Sequence, residues 1–146
     1  MRTFTARHQR GRSRLTWFGL TLILVSVGLI WRLVPLGLNG FALKYGGSVL
    51  WAAMIYCLCA ALLASQSITA TVCLSGFMTL STELLRLYHE PSLDAFRLTL
   101  PGALLLGRIF SLWNLVAYVA GIGFVALCER AATSQPANPS SQTRER

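Results

Sequence analysis

Leu15–Val34 reads LTWFGLTLILVSVGLIWRLV, an apolar run of twenty residues in which Arg32 is the one charge. At ~1.5 Å per residue a helix of that length covers ~30 Å, the hydrocarbon thickness of a bilayer. The run therefore predicts a membrane span. Ser26-Val27-Gly28 resembles a small-residue cleavage site, but the apolar character continues past it, which favours an uncleaved anchor. Arg2, Arg7, Arg10, Arg12 and Arg14 all precede the run. Such a cluster predicts that residues 1–14 form a basic cytoplasmic N-terminus, because arginines are retained on the inner side and attracted to anionic headgroups.

Composition extends this reading to the whole chain. Of 146 residues, 54% are hydrophobic and 12% charged, about half the charged share of a soluble domain. Mean hydropathy is +0.56. The solvent implied is a lipid bilayer. The formal charge of +8 could signal nucleic acid, but five of the thirteen basic residues sit ahead of the first span, where membrane topology accounts for them, so no nucleic-acid partner is expected. Cys57, Cys59, Cys73 and Cys128 all fall in apolar runs without C-x-x-C spacing. They read as small buried hydrophobes, and no metal or cofactor is expected.

Pro35, Gly37, Asn39 and Gly40 open a loop expected to end near Lys44, Gly46 and Gly47. Further spans are predicted at 48–64, 68–87 and 109–128, with a very short turn at Ser65-Gln66-Ser67 that makes its neighbours antiparallel. Between the last two, Leu98–Leu106 is apolar yet holds Pro101 and Gly102 and would extend only ~14 Å as a helix. That segment cannot cross. The predicted fold is all-α: a four-helix transmembrane bundle over residues 15–130, spans 15–34, 48–64, 68–87 and 109–128, with an interfacial or re-entrant segment before the last helix. Residues 131–146 are too polar to offset the entropy of ordering and read as a disordered tail. Four crossings return both termini to one side, and Arg130, Arg144 and Arg146 agree with a cytoplasmic end at a bacterial inner membrane.

Charges inside spans cost at least ~2.5 kcal/mol at the centre, so Arg32, Glu83 and Arg86 each need an account. Arg32 and Arg86 lie near the outward ends of their helices, within snorkelling reach of headgroups. Glu83 is too short to snorkel as far, and Arg86 three residues on suits an ion pair. Ser75, Thr79, Glu83 and Arg86 form a polar stripe, with Thr82 beside it; Ser111, Asn114, Tyr118 and Gly121 form another on the last helix. Both stripes fit helix packing as well as a cleft, and Ala117 with Gly121 makes a small-xxx-small step. His89, Asp94 and Arg97 add charge between the helices, with Asp94 and Arg97 paired three apart, and Lys44, Glu90 and Arg108 complete the outward set. No nucleophile stands beside a base, and no two carboxylates converge; no catalytic residue is assigned, and the chain leans away from being an enzyme.

The stretch Glu83–Gly121, ELLRLYHEPSLDAFRLTLPGALLLGRIFSLWNLVAYVAG, resembles domain-of-unknown-function family 2809, small bacterial membrane proteins of which some carry a ribosome-maturation label. The likeness takes in Arg32, Lys44-Tyr45-Gly46-Gly47 and Leu50-Trp51-Ala52. The same stretch is more distantly similar to VanZ-like proteins, which place a Glu on one helix before an Asp, Asn and Gly series on the next. Glu83 matches that Glu, while Asn114, Tyr118 and Gly121 fall where the series would lie. Arg86 stands where the pattern has Gln, Asn114 where it has Asp, and Ala103 where the closer family often has His. Those departures argue against proton transfer.

The leading expectation is a non-enzymatic, VanZ-like inner-membrane protein. Its outward polar cleft would be drawn from Arg32, Glu83, Arg86, His89, Asp94, Arg97, Asn114 and Tyr118, and would hold an anionic lipid or lipid-linked headgroup. Arg86 and Arg97 would contact the anion, Glu83 would fix Arg86, and Asn114 would add a neutral hydrogen bond. The alternatives are a small assembly subunit that packs its polar seams against a membrane-protein partner or another copy, and a membrane hydrolase using His89 with Asp94.

Overall fold

The computed structural model describes residues 13–134 apart from 36, 38 and 107–109. Arg2, Arg7, Arg10, Arg12, Gly107, Arg108, Ile109, Arg144 and Arg146, and with them the basic N-terminus and most of the predicted tail, lie outside the described residues. The described chain folds as six helices: α1 Arg14–Leu33, α2 Gly40–Leu62, α3 Ile68–Leu85, α4 Pro91–Leu98, α5 Leu100–Leu105 and α6 Leu112–Ser134. Four of them, α1, α2, α3 and α6, are long and apolar enough to cross a membrane. The predicted all-α, four-span architecture with a short non-spanning segment before the last helix is what forms.

Helix α2 is central, packing on α1, α3 and α6, while α6 also packs on α3 and, among the described helices, α1 packs on α2 alone. The core is small-residue packing between α2 and α6: Ala52, Tyr56 and Ala60 meet Tyr118, Ile122 and Ala126. Gly121 is what lets the two backbones close. A Cβ there would stand 2.5 Å from the Val49 carbonyl oxygen and 3.2 Å from the Ala52 Cβ. Large apolar side chains instead point outward along the spans, among them Leu22, Phe77, Val119 and Phe124. In lipid that arrangement is expected, since close backbone contact and buried polar groups drive association where hydrophobicity does not.

Several boundaries differ from the sequence reading. Helix α2 starts at Gly40, ahead of the predicted Ser48, because Asn39 caps it by accepting from the Ala42 N–H at 2.7 Å. Gly46 and Gly47 are not breakers here: a Cβ on Gly46 would come within 2.6 Å of the Trp31 ring, so the glycine is the seat for an indole from α1. Helix α3 ends at Leu85, before the predicted 87. Helix α6 runs on to Ser134, past the predicted end at Cys128 and into residues read as tail, and its Glu129 is buried on the Tyr56 hydroxyl at 2.6 Å. Of the four cysteines, Cys57 and Cys59 are buried, whereas Cys73 and Cys128 are exposed, which corrects the reading of all four as buried.

A candidate polar site at the head of the bundle

Helix α3 carries Thr71, Ser75, Thr79 and Glu83 four residues apart, all of them buried. That spacing keeps them on one slowly winding face. The hydroxyls satisfy themselves on the helix's own carbonyls, Ser75 on Thr71 at 2.8 Å and Thr79 on Gly76 at 3.0 Å. Glu83 has no such local option. It is 0% exposed and draws three of its four partners from outside α3, the fourth being Arg86 at the end of its own helix.

Those partners are all donors. Oε1 accepts from the Ser111 backbone N–H at 2.8 Å and the Asn114 Nδ2 at 3.1 Å; Oε2 accepts from the Tyr118 hydroxyl at 2.8 Å and Arg86 Nη1 at 2.5 Å. Ser111 immediately precedes α6, so the carboxylate stands at the positive end of that helix. Because Glu83 only accepts, the Asn114 amide must turn its nitrogen there, which leaves Oδ1 for the Ser48 hydroxyl at 3.1 Å. Ser48 also lies 3.2 Å from the Lys44 carbonyl and donates to one acceptor at a time. The Tyr45 and Ser111 hydroxyls meet at 3.3 Å. Glu83 thus ties α3 to the start of α6 and, through Asn114, to α2.

Arg86 is the member of this cluster with a way out. Its side chain is 10% exposed against 0% for Glu83, and its Nε donates to the Leu106 carbonyl at the end of α5. A guanidinium has five N–H donors, so those two bonds leave others, with the Tyr118 hydroxyl also alongside. Arg97 is used differently. It is buried, and Nη1 reaches the Tyr88 carbonyl at 2.9 Å and Asp94 at 2.7 Å while Nη2 reaches the Leu85 carbonyl at 2.6 Å. The two arginines act reciprocally: Arg86 of α3 holds the end of α5, and Arg97 of α4 holds carbonyls at the end of α3.

The remaining sequence-predicted residues are not drawn in. Arg32 is exposed in the last turn of α1. His89 is exposed with Nδ1 3.1 Å from the Leu87 carbonyl, and Asp94, its side chain 42% exposed, is paired with Arg97. His89 and Asp94, the two residues of the hydrolase alternative, thus have separate partners. Sequence reasoning passed over Ser48, Tyr45, Thr71 and the Tyr56–Glu129 pair. Helical spacing from Lys44 places Ser48 one turn on, and a buried acid eleven residues past Tyr118 was a signal that proximity to the helix end concealed. Aromatic rings surround the same end: Phe41 and Tyr45 lie 4.5 Å apart with Trp113 6.3 Å from Phe41, and Lys44 Nζ stands 5.2 Å from the Tyr45 ring centroid.

Fold and site together define a class, an α-helical membrane protein whose long apolar helices are joined at one end by a buried carboxylate. The chain belongs to the family described as "Protein of unknown function (DUF2809)", whose model matches residues 38–122. That match contains every residue bonded to Glu83 and also Tyr56, and it excludes α1 with Arg32 and the acid that Tyr56 meets, Glu129 near the end of α6. No solved structure matches the chain.

Proposed function

We propose that this is a non-catalytic protein of the bacterial inner membrane, termini on the cytoplasmic side, that holds the anionic group of an envelope lipid or lipid-linked molecule at the Arg86 end of the bundle. The observation that carries the reading is the asymmetry of the Glu83 cluster: its acid and neutral members are buried, and the arginine they position retains exposure. A guanidinium held by a carboxylate is pre-organised, so little of the binding energy goes to ordering it. Exposed Lys44 and Arg32 belong to the same end, since Trp31 beside Arg32 donates to the Leu43 carbonyl at 3.2 Å. Arg97 has a positioning role in this scheme, because its donors serve carbonyls and Asp94.

The test is native mass spectrometry of the full chain in nanodiscs containing anionic and zwitterionic lipids. Wild type and Arg86→Lys retain a bound anionic lipid, and Arg86→Gln, checked for helix content by circular dichroism, loses it. Equal retention by folded Arg86→Gln removes the ligand site. A stoichiometric protein in its place would make the chain an assembly subunit.

A further inference from the structure

Among the described residues, the α4–α5 hairpin presents exposed apolar side chains outward. Leu98 is 68% and Leu100 59% exposed, and Phe96 and Leu105 are exposed as well. Among the described residues the two helices pack on each other and on no other helix. What seats them on the bundle is the pair of arginine–carbonyl bridges, Arg97 to Leu85 and Tyr88, and Arg86 to Leu106. We infer that this hairpin is a lipid-contact surface, its Phe96, Leu98, Leu100 and Leu105 inserted at the boundary of headgroups and acyl chains on the Glu83 side.

Three observations select a lipid leaflet as the occupant. First, the apolar exposure is continuous with that of the spans it joins: Leu84, Leu87 and Tyr88 precede the hairpin, Leu112 and Trp113 follow it, and all are exposed. Second, the corner between the helices is built for a medium that offers few hydrogen bonds. Thr99 N–H donates to the Phe96 carbonyl at 3.0 Å, Thr99 Oγ1 accepts from Gly102 N–H at 3.2 Å, the Thr99 carbonyl accepts from Ala103 N–H at 2.9 Å, and Pro101 has no N–H to satisfy. Gly102 permits this closure, since a Cβ there would lie 1.9 Å from the Phe96 carbonyl oxygen. Third, the depth is limited. Helices of eight and six residues reach ~12 and ~9 Å, and Glu90 and the partly exposed Asp94 keep the start of α4 in the headgroup layer. Tyr45 and Trp113 belong to the kind of aromatic belt that marks this level.

The test does not involve anion binding, so it stands or fails apart from the reading of Arg86. In the full chain with its four cysteines replaced by alanine, nitroxide labels are placed singly by Leu98→Cys, Leu100→Cys, Ser92→Cys and, in the exposed face of α6, Val119→Cys. The chain is then reconstituted in phosphatidylglycerol–phosphatidylethanolamine vesicles. Oxygen-to-nickel-chelate accessibility is expected to be several-fold higher at 98 and 100 than at 92, and lower than at 119. Values at 98 and 100 equal to those at 92 place the hairpin in water, and values equal to those at 119 place it in the bilayer interior; either overturns the inference. Wild-type protein labelled by a diazirine-bearing phospholipid provides the check without substitutions: adducts on the 96–105 peptide are expected, and their absence beside labelled α6 peptides overturns it.

Discussion

Replacing Glu83 with glutamine exchanges an acceptor-only group for one that must aim an NH2 at donors. Whichever way the amide turns, it meets Ser111 N–H and Asn114 on one side or Tyr118 and Arg86 on the other. Arg86 also loses its counter-charge. Breaking a buried pair from one side costs about 3–5 kcal/mol, and a loss of that order is expected for Glu83→Gln in steric-trap unfolding measured in bicelles. A loss under about 1 kcal/mol would mean that the cluster is wet and loosely held. Gly121 is a separate residue-scale case. Gly121→Ala puts a methyl within 2.5 Å of the Val49 carbonyl, so α6 must move off α2, with an expected cost of about 1–3 kcal/mol. Gly123→Ala, two positions on, meets nothing within 4 Å and serves as the control that leaves stability unchanged or slightly raised.

At the scale of elements, α4 depends on its cap. Glu90 accepts from the Leu93 N–H at 3.1 Å and from the Ser92 hydroxyl, with Pro91 in the first turn. The Ser92 hydroxyl and then the backbone N–H groups of Leu93 and Ser92 hold the Glu90 carboxyl below its ordinary 4.5. For a depressed acid the stabilisation is complete above the ordinary value and is lost as pH falls through the lowered one. The Leu93 amide resonance in detergent-solubilised protein should therefore titrate with a midpoint below 4.5, and in Glu90→Gln it should not titrate. A midpoint at the ordinary value would show that the cap is not formed. The same scale explains why the second span was misjudged. Gly46 reads as a breaker because sequence shows its missing side chain but not the Trp31 ring that occupies the space.

Across the whole molecule, two buried carboxylates fasten opposite ends of α6. Glu83 receives Asn114 and Tyr118 near the helix start, and Glu129 receives Tyr56 near its end. The fifteen helical steps from Asn114 to Glu129 correspond to ~22 Å of helix, beyond the reach of direct coupling. Tyr56→Phe should cost about 1–3 kcal/mol by leaving Glu129 short of a donor, and combined with Glu83→Gln the costs should add within about 0.5 kcal/mol. Marked non-additivity would mean that the two ends unfold as a linked unit.

What the sequence by itself determined is the all-α class, the four apolar helices, the non-crossing segment and the Glu83–Arg86 and Asp94–Arg97 pairs. Those follow from local quantities, namely run length, hydropathy and three-residue spacing on a helix. Only the tertiary structure decided which polar groups meet across helices: that Ser48 reaches Asn114, that Tyr56 buries Glu129, and that Arg97 caps α3 while Arg86 keeps an exposed edge. The physical reason is that in lipid each buried polar group takes the partner brought nearest by packing. That partner is fixed by close approach at glycine and alanine, which no one-dimensional pattern records.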